Sequence, residues 1–176
     1  FFVVGDFRQT IYEWCGSDPQ LLKELMNKEG VTTFSLNENY RNGFNILNFA
    51  KRKLRICGME DDSRAMRKYN GIVTEANFSY DYILSQIRND GDYKNWAVLG
   101  RSNQDVTEMM YFLKKNKIPC DTFRQGDLTK EELDEKMEAD TVKILTLHSA
   151  KGLEWDKVVV LPFNTPAGRP EECRLA

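Results

Sequence analysis

The chain has 176 residues, 41% hydrophobic and 30% charged, a composition of folded rather than disordered protein. Lys and Arg number 25 against 27 Asp and Glu, a net charge of −2 that excludes an overall basic nucleic-acid coat but not a local basic groove. No apolar run approaches the roughly 20 residues of a membrane helix, and the four cysteines form no Cys-x-x-Cys pair for zinc or redox work, so they read as free thiols of a reducing cytoplasm.

The sequence opens inside an apolar run, Phe1–Val4, without a methionine, and stops at Arg174-Leu175-Ala176, which predicts a piece of a longer chain. Phe1–Val4 reads as a strand leading into the polar loop Gly5–Gly16. Pro19 behind Ser17-Asp18, then Leu21, Leu22, Leu25 and Met26 at helical spacing with Gly30 as a stop, predict a first helix. Thr32–Leu36 reads as a strand and is followed by Asn37–Asn42. The stripe Ile46, Leu47, Phe49, Ala50, Leu54 and Ile56, closed by Gly58, predicts a second helix. It runs into residues 51–68, a local excess of four positive charges, for which a solvated face is the commoner reading.

Gly71–Phe78 reads as another strand, and Tyr82–Ile87 as a short helix. Trp96–Leu99 is a buried strand pattern, followed by a helix through Val106, Met109, Met110 and Leu113 that opens at Ser102 or Asn103. Residues 127–140 carry a local excess of five negative charges, and Thr129-x-x-Glu132 has the spacing of a capping box on a short solvated helix. Val142–Leu147 and Val158–Phe163 complete the strands. Strands alternating with helices predict an α/β fold, a mostly parallel sheet with helices on both faces.

Ligands of such sheets bind beyond the carboxyl ends of the strands. Here those ends carry polar, Arg-rich and aromatic-rich loops: Gly5–Gly16, Asn37–Asn42, Gly100–Asn103 and His148–Trp155. Taken singly, each has a structural explanation. Tyr12 and Trp14 suit half-buried packing, and Arg41 suits lying over Tyr40. His148 is the lone histidine, so no metal site is expected. Ser149-Ala150-Lys151-Gly152 lacks the spacing of a phosphate loop.

In order along the chain, however, the loops resemble a set. Val-Gly-Asp-x-x-Gln-x-Ile-Tyr-x-Trp-x-Gly (Val4–Gly16) is similar to the third motif of the UvrD/Rep/PcrA-like superfamily 1 DNA helicases, and Leu-x-x-Asn-Tyr-Arg (Leu36–Arg41) to their fourth. Ala97–Asn103 resembles the strand and loop that follow, and Thr146–Trp155 resembles the fifth motif almost letter for letter. Glu171-Glu172-x-Arg174-Leu175-Ala176 resembles the start of the sixth.

The resemblance implies an ATP-driven DNA helicase of two RecA-like (P-loop NTPase-type) motor domains. Residues 1–28 would be the tail of the first, and 29–176 the second. The phosphate loop and magnesium-binding acids would lie upstream, so ATP with Mg2+ is the expected cofactor pair and the isolated piece is expected to be inactive. Arg41 and Gln9 would be catalytic: Arg41 sets positive charge against the transferred phosphoryl group and Gln9 senses the γ-phosphate. Tyr40 would stack on adenine and Glu154 accept from the ribose hydroxyl. Gln9, Tyr40, Arg41, Gly152 and Glu154 thus form the expected nucleotide set. Single-stranded DNA, or its junction with duplex, would stack on Tyr12 and Trp14 and touch Arg101, Asn103, Thr146 and His148.

The implied partners are that DNA and the upstream motor domain, with no membrane; the implied movement is 3′ to 5′, and the implied setting is cytoplasmic DNA repair. Two departures stand out. Cys15 sits where the family usually has an arginine, and residues 124–140 replace a large accessory domain with an acidic connector. A translocase that displaces RNA polymerase or other proteins from DNA is the alternative, and a degenerate, non-enzymatic nucleic-acid binder is the third.

Overall fold

The computed structural model describes residues 2–11 and 16–162. Tyr12, Trp14 and Cys15, and the whole of the sixth-motif resemblance at 171–176, lie outside the described residues. The chain divides into two compact units, one running to Glu75 and the other starting at Ala76.

In the first unit the helices form where local signals put them. Helix α1 (Pro19–Met26) is capped by Asp18, whose carboxylate accepts from the backbone N–H of Gln20 at 2.8 Å, with Pro19 in the first turn. Helix α2 (Phe44–Ile56) starts two residues before its apolar stripe, behind Gly43. A Cβ on Gly43 would lie 2.3 Å from the carbonyl oxygen of Tyr69, so only glycine lets that chain pass. At the far end Gly58 takes φ +70°, with Met59 N–H closing back to Leu54 C=O at 3.0 Å.

The strands of this unit do not follow the sequence pattern. Residues 2–4, Thr32–Leu36 and Gly71–Phe78 are extended or irregular and unpaired. The parallel pairing that does form is short: β1 (Glu38–Asn39) with β2 (Arg64–Ala65). A strand is defined by its partner, and an apolar β-branched run without one leaves its side chains in water. Phe34 and Leu36 are accordingly 83% and 89% exposed.

The second unit supplies the predicted sheet. Its four strands are all parallel in the order β4 (Cys120–Asp121), β5 (Val142–Thr146), β3 (Trp96–Gly100), β6 (Lys157–Val160). One face meets helices α3 (Tyr80–Asp90) and α4 (Asn103–Lys115): Ile87, Met109 and Leu113 pack on Val98, Val142 and Ile144, all of them fully buried. The other face gathers Ala97, Leu99, Leu145 and Ala150, against which Leu133 and Met137 of α5 (Lys130–Glu138) pack. Parallel strands covered on both faces must be apolar on both faces, which is why these runs lack a polar alternation.

The acidic stretch is therefore more than a solvated connector: its capping box forms as expected, Thr129 and Glu132 exchanging bonds at 2.8 and 3.3 Å, while its inner edge supplies the second helical layer. Lys143 interrupts the apolar run of β5 but is fully buried, its ammonium donating to the carbonyls of Ala139 and Thr141. Burial holds its pKa below the ordinary lysine value despite the nearby acids Asp121 and Asp140.

Two further expectations change. The third helix is longer than its apolar core suggested, because Ser79 caps it at one end and Gly91, at φ +73°, closes it at the other. Cys57 is disulfide-bonded, which corrects the free-thiol reading there, whereas Cys120 is a free, half-buried thiol. Spacing along the chain carries no information about which thiols meet in space. Among the described residues no helix is long and apolar enough to cross a membrane.

Candidate nucleotide and nucleic-acid sites

In the first unit the loop after Val4 folds as a tight 3-10 turn, Phe7–Gln9, started by Asp6. Asp6 Oδ1 accepts from the backbone N–H of Arg8 and from its Nε, both at 3.0 Å, and Oδ2 accepts from Nε2 of Gln9 at 3.0 Å. Arg8 also donates to Asp61 Oδ1 at 2.6 Å. Partial burial pushes the Asp6 carboxyl up, but the bonds from Arg8 and Gln9 outweigh it and hold the group below the usual carboxylate range. The side chain expected at the γ-phosphate, Gln9, is thus oriented by its own turn.

The loop of Tyr40 and Arg41 is an Asx turn. Asn39 Oδ1 accepts from the backbone N–H groups of Arg41 at 3.0 Å and Asn42 at 2.8 Å, bending the chain directly after β1. Both side chains project into solvent, Tyr40 at 66% exposure, the posture an aromatic needs to offer a face to a base. The Tyr40 hydroxyl donates to Glu38, and this bond with the adjoining charge raises the phenol above its ordinary pKa.

The basic run of 51–68 lies partly on α2. Asn45, Asn48, Phe49, Arg52 and Arg55 recur on one helix face and line a groove of about 470 Å3. Glu75 crosses that groove to Arg52 at 3.1 Å and Lys53 at 2.9 Å, neutralising part of the charge.

In the second unit two strand ends meet. Gly100 of β3 and Thr146 of β5 are register partners, and Leu147 N–H donates to Gly100 C=O at 2.9 Å. The loop carrying Arg101 and Asn103 and the turn carrying His148 therefore leave one carboxyl edge of the sheet side by side. Each is locked locally. Asp105 accepts from Arg101 N–H at 3.0 Å, Ser102 N–H at 2.8 Å and Ser102 Oγ at 2.9 Å, and Ser102 Oγ caps α4 in return. A Cβ on Gly100 would lie 2.7 Å from Asp105 Cβ, so glycine is what lets this cap sit against the strand. Thr146 Oγ1 donates to Ser149 Oγ at 3.0 Å and accepts from Ser149 N–H at 3.2 Å, fixing the start of the turn. Gly152 has φ +87°, a left-handed conformation that by itself demands glycine, and Glu154 just beyond it is exposed.

The structure thus brings Arg101, Asn103, Thr146 and His148 to adjacent strand ends, with Gly152 and Glu154 following in the same unit, while Gln9, Tyr40 and Arg41 belong to the other unit. Sequence reasoning missed the residues that hold these groups: Asp6, Arg8, Asp61 and Asp105. For Asp105 the signal was present, since Ser102-x-x-Asp105 has capping-box spacing; for Asp61, 53 positions from Arg8, there was none. Among the described residues no group of three or more His, Cys, Asp or Glu is placed to hold a metal ion.

A parallel α/β sheet with polar loops at its carboxyl edge is the arrangement of a RecA-like helicase domain. The UvrD-like helicase C-terminal domain family matches residues 123–167. The chain is 26% identical over 168 residues to the mitochondrial ATP-dependent DNA helicase HMI1 of Saccharomyces cerevisiae, covering 82% of this chain and 24% of that protein. It is 29% identical over 132 residues to the ATP-dependent DNA helicase Rep of Escherichia coli, covering 68% of this chain and 20% of Rep. It is 27% identical over 129 residues to the ATP-dependent DNA helicase PcrA of Staphylococcus aureus, covering 66% and 18%. The chain spans about a quarter or less of the length of these curated relatives. No solved structure matches it. Together the matches support a UvrD-like helicase C-terminal fragment and a DNA helicase family member.

Proposed function

We propose that the chain is part of an ATP-dependent helicase or translocase that moves along single-stranded DNA, 3′ to 5′, driven by ATP with Mg2+. Residues 1–28 close the first motor domain and 29–176 form the second, the phosphate loop and magnesium acids lying upstream. The observation that carries the reading is the pairing of the Arg101–Asn103 loop with the Thr146–His148 turn on neighbouring parallel strand ends, the latter turn lying within residues 123–167, which match the UvrD-like helicase C-terminal domain.

Physically, backbone and side-chain donors at one sheet edge suit the phosphates of a strand threading past it, and the aromatics Tyr12 and Trp14 supply stacking platforms. Arg41, exposed on the turn after β1, brings a fixed positive charge to a phosphoryl group whose negative charge spreads as its bond breaks. Tyr40 covers the adenine, Gln9 meets the γ-phosphate, Glu154 accepts from the ribose, and the left-handed backbone of Gly152 sets the chain's path into Glu154.

The test uses the full-length protein. ATP hydrolysis stimulated by single-stranded DNA is expected, with Arg41→Ala lowering kcat on the order of 10³-fold and leaving DNA affinity in place. Absence of stimulated hydrolysis in the wild type overturns the reading and leaves the non-enzymatic binder. A second reading, a translocase that strips proteins such as RNA polymerase from DNA, is favoured by the short segment 124–140, whose helix α5 folds onto the core instead of forming an accessory domain. Strand displacement compared with polymerase release separates the two.

A further inference from the structure

The turn around Gln9 is tied to a distant segment by a chain of charged bonds that the helicase reading does not use. Gln9 Nε2 donates to one oxygen of Asp6, and Arg8 donates to the other. Arg8 then reaches Asp61, 53 positions away between α2 and β2, at 2.6 Å. Asp61 is itself held, accepting from Ser63 N–H at 3.0 Å and Ser63 Oγ at 2.8 Å. Its side chain is 12% exposed, against 28% for Arg8 and 29% for Asp6, so the anchored end of the chain is also its driest.

We propose that Asp61 is a positioning residue for Gln9, acting through Arg8 and Asp6. The reasoning follows the geometry. An arginine has a planar fork of donors that satisfies two carboxylates at once, which a lysine's single ammonium does less well. With Asp61 in place, Arg8 has both sides of its fork occupied and Asp6 is held in one rotamer, which presents Oδ2 to Gln9. Without it, Arg8 is free to swing towards solvent or to engage Asp6 end-on, and the carboxylate that aims Gln9 loses its fixed partner. Asp6, Arg8 and Asp61 together carry one net negative charge, so the link is a mechanical clamp rather than a phosphate-binding site. Its consequence for catalysis rests on the reading that Gln9 meets the γ-phosphate: misaiming that amide weakens a contact made in the transition state more than substrate binding.

The experiment compares Asp61→Asn, which removes the charge, with Asp61→Glu, which keeps it, in the full-length protein. Hydrogen exchange of the peptide spanning Asp6–Thr10 is expected to quicken about tenfold in Asp61→Asn and to stay near wild type in Asp61→Glu. The kcat of DNA-stimulated ATP hydrolysis is expected to fall ~3- to 10-fold in Asp61→Asn with the KM for ATP moved less than about twofold, while combining Asp61→Asn with Gln9→Ala costs no more than Gln9→Ala alone. Unchanged exchange in Asp61→Asn overturns the clamp, and additive losses in the double variant overturn its action through Gln9. A wild type without ATP hydrolysis overturns the proposed helicase function instead, and the exchange comparison still decides the clamp.

Discussion

Replacing Asp105 by alanine tests how the edge of the second unit is built. Its carboxylate accepts three bonds, from Arg101 N–H, Ser102 N–H and Ser102 Oγ. The two from Ser102 are exposed, and water substitutes for much of their value; the bond from Arg101 N–H is partly buried, so its loss weighs more. A capping contribution of about 1 kcal/mol and about 1 kcal/mol for the part-buried bond from Arg101 N–H give a loss near 2 kcal/mol. For a cooperative unit of roughly 90 residues each kcal/mol is worth about 4–8 °C, so a melting temperature lower by on the order of 10 °C is expected. Thermal unfolding followed by tryptophan fluorescence on a Trp14→Phe background reads this unit directly, since the two remaining tryptophans, Trp96 and Trp155, belong to it. Asp105→Asn keeps one acceptor oxygen and loses about half as much. Because Arg101 and Asn103 stand on this loop, affinity of the full-length protein for single-stranded DNA falls as well. A melting temperature within about 2 °C of wild type in Asp105→Ala refutes the reasoning, because the loop is then held by something other than this carboxylate.

Other outcomes follow from the same geometry. Gly152→Ala must place a Cβ at φ +87°, which costs about 1–2 kcal/mol and lowers the urea midpoint of the second unit. Thr146→Val keeps the shape of β5 but removes the hydroxyl that bonds Ser149; we expect a loss of about 1 kcal/mol in the same titration and a several-fold weaker grip on single-stranded DNA, measured by anisotropy. Asp6 and Asp61 both have carboxyls held below their ordinary pKa, burial being outweighed by bonds from Arg8 and, at Asp61, from Ser63. Their contribution is therefore present above the ordinary carboxylate range and disappears as pH falls through the lowered values. Wild type and Arg8→Gln, a few degrees apart in melting temperature at about pH 6, should draw together as pH falls below the ordinary carboxylate range, and a gap that does not narrow there rules out the two carboxylates as its source.

Short-range signals were legible in the sequence. Asp18 before Pro19, Thr129 with Glu132, and Ser102 before an apolar stripe act within three residues, and those three helices start where their caps stand, whereas the cap Ser79 of α3 was missed. The strands β3 and β5 were legible too, because double-faced apolar runs suit a sheet covered on both sides; β6 shows the same apolar run but is the edge strand, with Val158 and Val160 half exposed. Tertiary structure alone decided the rest. Thr32–Leu36 and Gly71–Phe78 have the composition of strands but no partner in register, and pairing is a property of two segments, not one. The clamp from Gln9 to Asp61 joins residues that are 53 positions apart at its longest step, a contact no window of sequence contains. Local sequence determined which helices exist and where they stop, whereas the backbone hydrogen bonds and charge pairs that aim the functional side chains depended on which segments the fold set side by side.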